Sequence, residues 1–151
     1  MADAIIEIVG QGDLPTIVEL HNQVYRPQQD LAGFKRGCRG RYHVLQMLAR
    51  LGERPVGFFL GHEGDANTFV GWTWGVHPEH RRQGVATQMF EAVTEWAYNR
   101  QYEAVRLEFP NSARGMLHLA LDLGYEVTGV RWDPSRGANL VIVEKDLLRE
   151  T

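Results

Sequence analysis

A short segment that contains two arginines and a glycine is the part of the sequence best suited to chemistry. It reads HPEHRRQGVAT over residues 77–87 and lies between an apolar run and a helix-like pattern. A helix N-terminus presents unpaired backbone N–H groups and a partial positive charge, so it favours anions. Arginine guanidinium groups match phosphate oxygens in shape and charge. The segment is therefore predicted to hold a phosphate or pyrophosphate group.

The predicted anion cradle spans residues 81–87. Gly84 lets the main chain approach the anion closely, the side chain of Ala86 is too small to obstruct it, and Thr87 offers a hydroxyl group in the first helical turn. The alternative is an ordinary turn whose arginines are only solvated. Neither G-x-x-x-x-G-K-[ST] nor G-x-G-x-x-G occurs, which argues against a P-loop or a dinucleotide fingerprint. The cradle comprises Arg81, Arg82, Gln83, Gly84, Val85, Ala86 and Thr87.

Other metal-binding or reactive residue patterns are weak. His77 and His80 lie beside the cradle, but no trio of ligand residues has the spacing typical of a metal site, so no metal is predicted. Cys38 is the only cysteine, which leaves no disulfide framework and no cysteine metal cluster.

The composition sets outer limits on function. The chain has 151 residues, of which 44% are hydrophobic and 23% charged, as expected for one globular domain over residues 1–151. A net charge of −3 argues against general nucleic-acid binding, which normally needs a basic face. No apolar run approaches the roughly 20 residues of a membrane span. The N-terminus does not resemble a signal peptide, so we expect a cytoplasmic protein.

The hydrophobic periodicity predicts strands and helices in the order β-α-(α)-β-β-β-α-β-α-β-β. Residues 31–41 form either a short helix or a loop. Asp13 is a predicted helix N-cap, and Pro110 is expected to stop a strand. Trp72 and Trp74 are expected to lie on one face of their strand, because alternate residues share a face. The other predicted elements are strands at 4–9, 42–51, 56–63, 68–76, 103–109, 125–132 and 139–147, and helices at 14–25, 85–100 and 112–123.

The segment VHPEHRRQGVAT resembles the acetyl-CoA-binding motif of the GNAT N-acyltransferase superfamily, [Q/R]-x-x-G-x-[G/A]. Arg81, Gly84 and Ala86 stand at its fixed positions. DLPTIVELHN is similar to the first helix of many members. NSARGMLHLALDLGYE resembles the later segment of these proteins, with Asn111 before a short helix and Gly124 and Tyr125 after it. The resemblance covers about residues 4 to 147.

The resemblance implies an α/β (α+β) fold with a mixed, mostly antiparallel sheet of six to seven strands and about four helices. The sheet is expected to splay between its fourth and fifth strands, with acyl-CoA in the opening. The main chain at Trp74, Gly75 and Val76 would pair with the pantetheine arm and direct an N–H at the thioester carbonyl. Residues 81–87 would hold the pyrophosphate, and Asn111 would meet pantetheine from the other wall.

The implied reaction is transfer of an acetyl or short acyl group to a primary amine by direct attack in a ternary complex. Many members carry a tyrosine acid where this chain has Ala120, and His118 is the candidate replacement or else a structural histidine. The strand TFVGWTWGV has no carboxylate, so Glu108 is the candidate base, acting through water. The alternative for Glu108 is a surface glutamate paired with an arginine.

The acceptor is a small-molecule amine, a protein N-terminus or a lysine. Polar residues of the first helices and strand ends are its candidate ligands: His21, Tyr25, Arg26 and His43. The resemblance also allows a homodimer. A rival hypothesis is a non-catalytic acyl-CoA-binding module, motivated by the missing tyrosine and strand carboxylate. A third is an unrelated phosphate-binding protein.

Overall fold

The computed structural model describes residues 3–65 and 67–147. Seven strands form one mixed sheet in the order β1-β2-β3-β4-β5-β7-β6, and four α-helices flank it. The strands are β1 Ile5–Val9, β2 Leu45–Leu51, β3 Arg54–Glu63, β4 Thr68–Val76, β5 Ala104–Pro110, β6 Glu126–Asp133 and β7 Ala138–Asp146, and the helices are α1 Leu14–Val24, α2 Leu31–Cys38, α3 Val85–Asn99 and α4 Arg114–Asp122.

The sheet opens between β4 and β5. These strands are parallel and pair only from Thr68–Val70 to Ala104–Arg106, whereas the other neighbouring strands are antiparallel. Beyond Val70, β4 remains paired with β3, and β5 remains paired with β7 as far as Pro110. The two halves of the sheet therefore diverge, and we call the opening between them the gap. The predicted mixed sheet, its splay and its four helices are confirmed.

Hydrophobic side chains cover both faces of the sheet. On one face, α3 and α4 pack over Phe59, Phe69 and Leu107. On the other face, α1 and α2 pack over Leu48 and Phe58. Burial of each large apolar side chain contributes roughly 1.5–3 kcal/mol to folding, so these two layers hold the edges of the gap in place.

A β-bulge interrupts β4. Leu60 of β3 lies opposite Thr73, but the next residue, Gly61, lies opposite Gly71. Trp72 is therefore the extra residue of the bulge. A bulge of this kind inserts one residue into one strand and reverses the side-chain alternation beyond it.

The bulge separates the two tryptophans. Trp72 packs against Phe34 of α2, with ring centroids 5.8 Å apart, and Trp74 packs against Phe90 of α3, with centroids 5.6 Å apart. The prediction that they share a face is therefore wrong, because the simple period of two does not hold across a bulge.

The ends of several elements also differ from the prediction. Asp13 precedes α1 but its side chain makes no capping hydrogen bond, whereas Asp30 caps α2 by accepting from the Gly33 N–H at 2.7 Å. β5 includes Pro110, which was expected to stop it. Gly124 follows α4 with φ +90°, as expected for a helix-ending glycine. Among the described residues, no helix has the length and apolar character needed to cross a bilayer.

Candidate functional site

The anion cradle lies between a 3-10 turn at Pro78–His80 and the start of α3. Arg82 and Gly84 both have left-handed backbone conformations, with φ of +62° and +82°. Gln88 N–H donates to Gly84 O at 3.1 Å and begins the helical hydrogen-bond pattern. The N–H groups of residues 85–87 therefore have no acceptor within the helix, and the first turn contains neither a side-chain cap nor an acid. These three N–H donors therefore lie together in the first turn of α3.

The cradle side chains divide into exposed cations and buried anchors. Arg81 and Arg82 are exposed, whereas Val85 is buried in the core beside Met89. Gln83, Gly84, Ala86 and Thr87 are half-buried. The charges therefore face solvent while the helix start is held rigidly, an arrangement that suits binding of a diphosphate.

The edge of β4 that faces the gap is not paired with β5 beyond Val70. His77 N–H donates to Val56 O at 2.7 Å, so this peptide points towards β3. Successive residues of a strand point their N–H and C=O groups to opposite sides. Trp74 and Val76 therefore direct their N–H and C=O groups into the gap, and Gly75 directs its own towards β3.

Two side chains bind the carbonyls on this edge. The Tyr25 hydroxyl donates to Trp74 O, and Arg81 Nε donates to Val76 O at 3.3 Å. The carbonyls are thus occupied while the neighbouring N–H groups face the gap. The Val76 N–H therefore points into the gap, and its role as a donor to an oxyanion stays a prediction.

The other wall of the gap is formed by α4 and the end of β5. Trp74 is only 9% exposed, and its Nε1–H donates to Met116 Sδ at 3.3 Å. Asn111 follows β5 directly, is exposed, and donates its backbone N–H to Asn139 O at 3.0 Å. The methionine of α4 is a site residue that the sequence analysis missed, because an apolar helix residue carries no signal of such a contact.

Tyr25 lies across β4 because Gly75 has no side chain. A β-carbon at Gly75 would lie 3.3 Å from Tyr25 Cε2 and 3.1 Å from Val24 Cγ1. His21 packs beside Tyr25, with ring centroids 5.3 Å apart. Burial raises the pKa of Tyr25, and the positive charges of Arg81 and Arg136 oppose the rise. The structure thus brings Tyr25 to the edge of β4 that faces the gap, with His21 beside it.

The other two predicted acceptor residues make contacts outside the edge of β4. Arg26 donates to the carbonyl oxygen of Tyr25 at 2.9 Å and also to that of Asn22, so it caps the end of α1. His43 borders a surface pocket with Glu63 beside the first residues of β4. The gap opens at the opposite end of β4, so His43 is not brought to it.

Glu108 is held by two arginines. Its carboxylate lies 2.5 Å from Arg131 Nε and 3.5 Å from Arg106 Nε, and 22% of its side chain is exposed. The glutamate–arginine pairing given above as the alternative is therefore present. The role of Glu108 as a base stays a prediction.

His118 lies on the exposed side of α4. It is two residues from Met116, which places it about 200° around the helix from the residue that contacts Trp74. Ala120 is fully buried. The structure therefore does not bring His118 to the gap, and the role of His118 as an acid stays a prediction.

The residues before the cradle converge more closely than their spacing predicted. Ligand atoms of His77, Glu79 and His80 all lie within 4.8 Å of one another. A 3-10 turn places residues i and i+3 directly over each other. The turn therefore brings these three side chains together although their spacing in the sequence is not typical of a metal site, and the absence of a metal stays a prediction.

Solved structures with the same arrangement of strands and helices are numerous. The ribosomal-protein-S18-alanine N-acetyltransferase from Escherichia coli is 16% identical, with a TM-score of 0.85, over 99% of this chain and 97% of that chain. A spermidine N-acetyltransferase SpeG chimera from Vibrio cholerae and hSSAT is 12% identical, with a TM-score of 0.80, over 97% and 96%. A GNAT family acetyltransferase from Elizabethkingia anophelis with acetyl-CoA bound is 17% identical, with a TM-score of 0.81, over 97% and 99%.

At these identities the structural likeness shows the fold alone, and a search of curated proteins finds no match. The sequence itself carries the family assignment. The model of the acetyltransferase (GNAT) family matches residues 14–125, which include α1, the bulged strand β4, the cradle and α4. The chain belongs to the GNAT acetyltransferase family.

Proposed function

We propose that the protein is an acetyl-CoA-dependent N-acetyltransferase that acetylates a primary amine by direct attack in a ternary complex. The observation that carries this proposal is the continuity of the open edge of β4 with the anion cradle. An extended chain with amide groups fits this edge, where the N–H groups of Trp74 and Val76 face the gap, and a diphosphate fits the uncapped start of α3. Acetyl-CoA has both parts in that order.

The residues around the gap divide the work of binding and activation. Arg81, Arg82 and the N–H groups of residues 85–87 bind the diphosphate, and Asn111 binds the pantetheine part from the other wall. The Val76 N–H donates to the thioester carbonyl oxygen and stabilises the negative charge that develops there. Bound acetyl-CoA supplies the activated acetyl group. The chain therefore contributes mainly orientation and electrostatic stabilisation.

The proton of the attacking amine needs a path out of the site. Glu108 is the proposed base, reached through water, and its two arginines fix the direction of its carboxylate. The leaving thiol has an ordinary pKa of about 8.5 if it resembles cysteine, so a strong acid is not required. The reaction then proceeds without the tyrosine that Ala120 replaces, and His118 is the secondary candidate for the acid.

The proposed acceptor site lies at Tyr25 and His21, on the face of β4 opposite Trp74. The similar structures named above include one named for a protein alanine and one named for spermidine, so we propose both a small amine and a protein amine as acceptor classes. A rival function is acyl-CoA binding without turnover. It is favoured by the position of His118 away from the gap and by the occupied carboxylate of Glu108.

A thiol-release assay separates the two functions. Purified protein is incubated with acetyl-CoA and a panel of spermidine, peptides with an N-terminal alanine, lysine peptides and small aromatic amines. Release of CoA that depends on one amine supports the enzyme. Saturable binding of acetyl-CoA without release across the whole panel supports the binding module.

A further inference from the structure

The 3-10 turn that leads into the anion cradle gathers three potential metal ligands. We call His77, Glu79 and His80 the histidine–glutamate cluster. Its ligand atoms lie within 4.8 Å of one another, and the rings of the two histidines have centroids 5.7 Å apart. Ligand atoms about 2.0–2.2 Å from one cation lie roughly 3.5 Å apart in a tetrahedral site. Small side-chain rotations would therefore close the cluster around an ion.

His80 provides the strongest indication that something is bound there. Both of its ring nitrogens are inaccessible to solvent and have no hydrogen-bond partner among the described residues. A neutral imidazole has one donor and one acceptor nitrogen, so either tautomer leaves both a buried N–H and a buried lone pair unsatisfied. Buried polar atoms normally have partners. A cation on one nitrogen would satisfy the lone pair.

The other two side chains are available as ligands. His77 Nδ1 accepts from the Glu79 backbone N–H at 3.1 Å, which requires the tautomer with its lone pair on Nδ1. A cation at Nδ1 would replace this single contact. The Glu79 carboxylate is exposed and forms a long ion pair with Arg54, at 3.6 Å. The His77 ring and the Glu79 carboxylate can therefore both rotate towards His80.

We propose that the histidine–glutamate cluster binds a divalent ion of the zinc class. Two imidazole nitrogens and one carboxylate form a ligand set that zinc accepts with water in the fourth position, and imidazole also suits copper and nickel. The ion would fix the 3-10 turn that positions Arg81, the first residue of the cradle. This site is separate from the acetyl-transfer chemistry and does not depend on it.

Metal binding to the untagged 151-residue chain tests the proposal. Co²⁺ is titrated as a spectroscopic probe, and Zn²⁺ affinity is then measured by competition with a chromophoric chelator. We expect one ion per chain, visible ligand-field absorption of Co²⁺, and a rise in the melting temperature with Zn²⁺. His77→Gln and Glu79→Gln should each weaken Zn²⁺ binding by at least about tenfold, the lower end of what even the loss of an outer-shell partner causes.

His118→Gln is the matched control, because it removes an exposed histidine from another part of the surface. It should leave Zn²⁺ affinity unchanged. His80→Gln removes the buried ligand, and its folding is checked by circular dichroism. The proposal is overturned if the wild-type protein binds no ion at stoichiometric concentrations. Equal affinity in His77→Gln, Glu79→Gln and the wild type would overturn it too.

Discussion

The substitution Gly84→Glu tests whether the cradle binds the diphosphate of acetyl-CoA. Gly84 has φ +82° at the start of α3, and the glutamate would place a negative charge where the ligand's negative charge is expected. Two like charges about 5 Å apart repel by about 3 kcal/mol at an effective dielectric constant of about 20. Even half of this repulsion, after screening by solvent, weakens binding by more than tenfold.

A thermal-shift titration measures this loss. Ligand at about 100 times its dissociation constant stabilises the wild-type protein by about 2.7 kcal/mol. With an unfolding entropy of about 2.1 cal/mol/K per residue, this raises the melting temperature by about 8 °C. Tenfold weaker binding at the same concentration leaves about 1.4 kcal/mol. The shift of Gly84→Glu should therefore be about 4 °C or less.

Gly40→Glu is the matched control for backbone strain. Gly40 has φ +76°, and an added β-carbon there would meet nothing within 4 Å. Both substitutions should lower the free energy of unfolding by roughly 1–2 kcal/mol, because a side chain enters the left-handed region. Only Gly84→Glu should also lose the rise in melting temperature that acetyl-CoA causes. If acetyl-CoA raises the melting temperature of Gly84→Glu as much as that of the wild type, the cradle does not bind the diphosphate. No shift in the wild type would remove acetyl-CoA from the proposed function.

Three further predictions concern the base, a buried histidine and two glycines. Glu108→Gln should lower kcat by about 100-fold or more with little change in the KM for acetyl-CoA, as loss of a general base does; an unchanged kcat would eliminate Glu108 as the base. Burial lowers the pKa of His62 below its ordinary 6.5, so the unfolded chain takes up a proton that the folded chain excludes. The free energy of unfolding, measured with urea, should therefore fall as the pH drops below about 6.5. It should fall less steeply in His62→Gln, and parallel pH profiles of the variant and the wild type would contradict this. Gly37→Ala should lower the free energy of unfolding, measured by thermal denaturation, by roughly 1–3 kcal/mol, because its β-carbon would lie 2.1 Å from Trp72 Cη2. An added β-carbon at Gly115 in α4 would meet no described atom within 4 Å, so Gly115→Ala should raise the free energy of unfolding by up to about 1 kcal/mol. A lower free energy of unfolding in this variant would refute the packing argument.

Much of the fold could be predicted because its signals are local. The helical stripe of α3, the strand-sized apolar runs and the glycine after α4 each depend on residues within one element. The proposed cradle is also local, since a loop and the helix that follows it can form an anion site without distant contacts. The splay came from the family resemblance, because strand pairing joins residues far apart in the chain.

Other features of the site depend on contacts between distant residues. The bulge at Trp72 arises from the register of β4 against β3, and it places Trp74 on the α3 side. Glu108 meets Arg131, which is 23 residues further along, through the pairing of β5, β7 and β6. No periodicity within one strand encodes either arrangement.

The sequence by itself determined the family and the position of the proposed cradle, because a motif of fixed spacing on a loop and a helix needs only local geometry. Tertiary structure decided which side chains share the gap. It brought Tyr25 onto the edge of β4 across 49 residues, and it left His43 at the other end of the same strand. The physical reason is that side chains from different elements meet only after register, bulges and helix packing have fixed their relative positions.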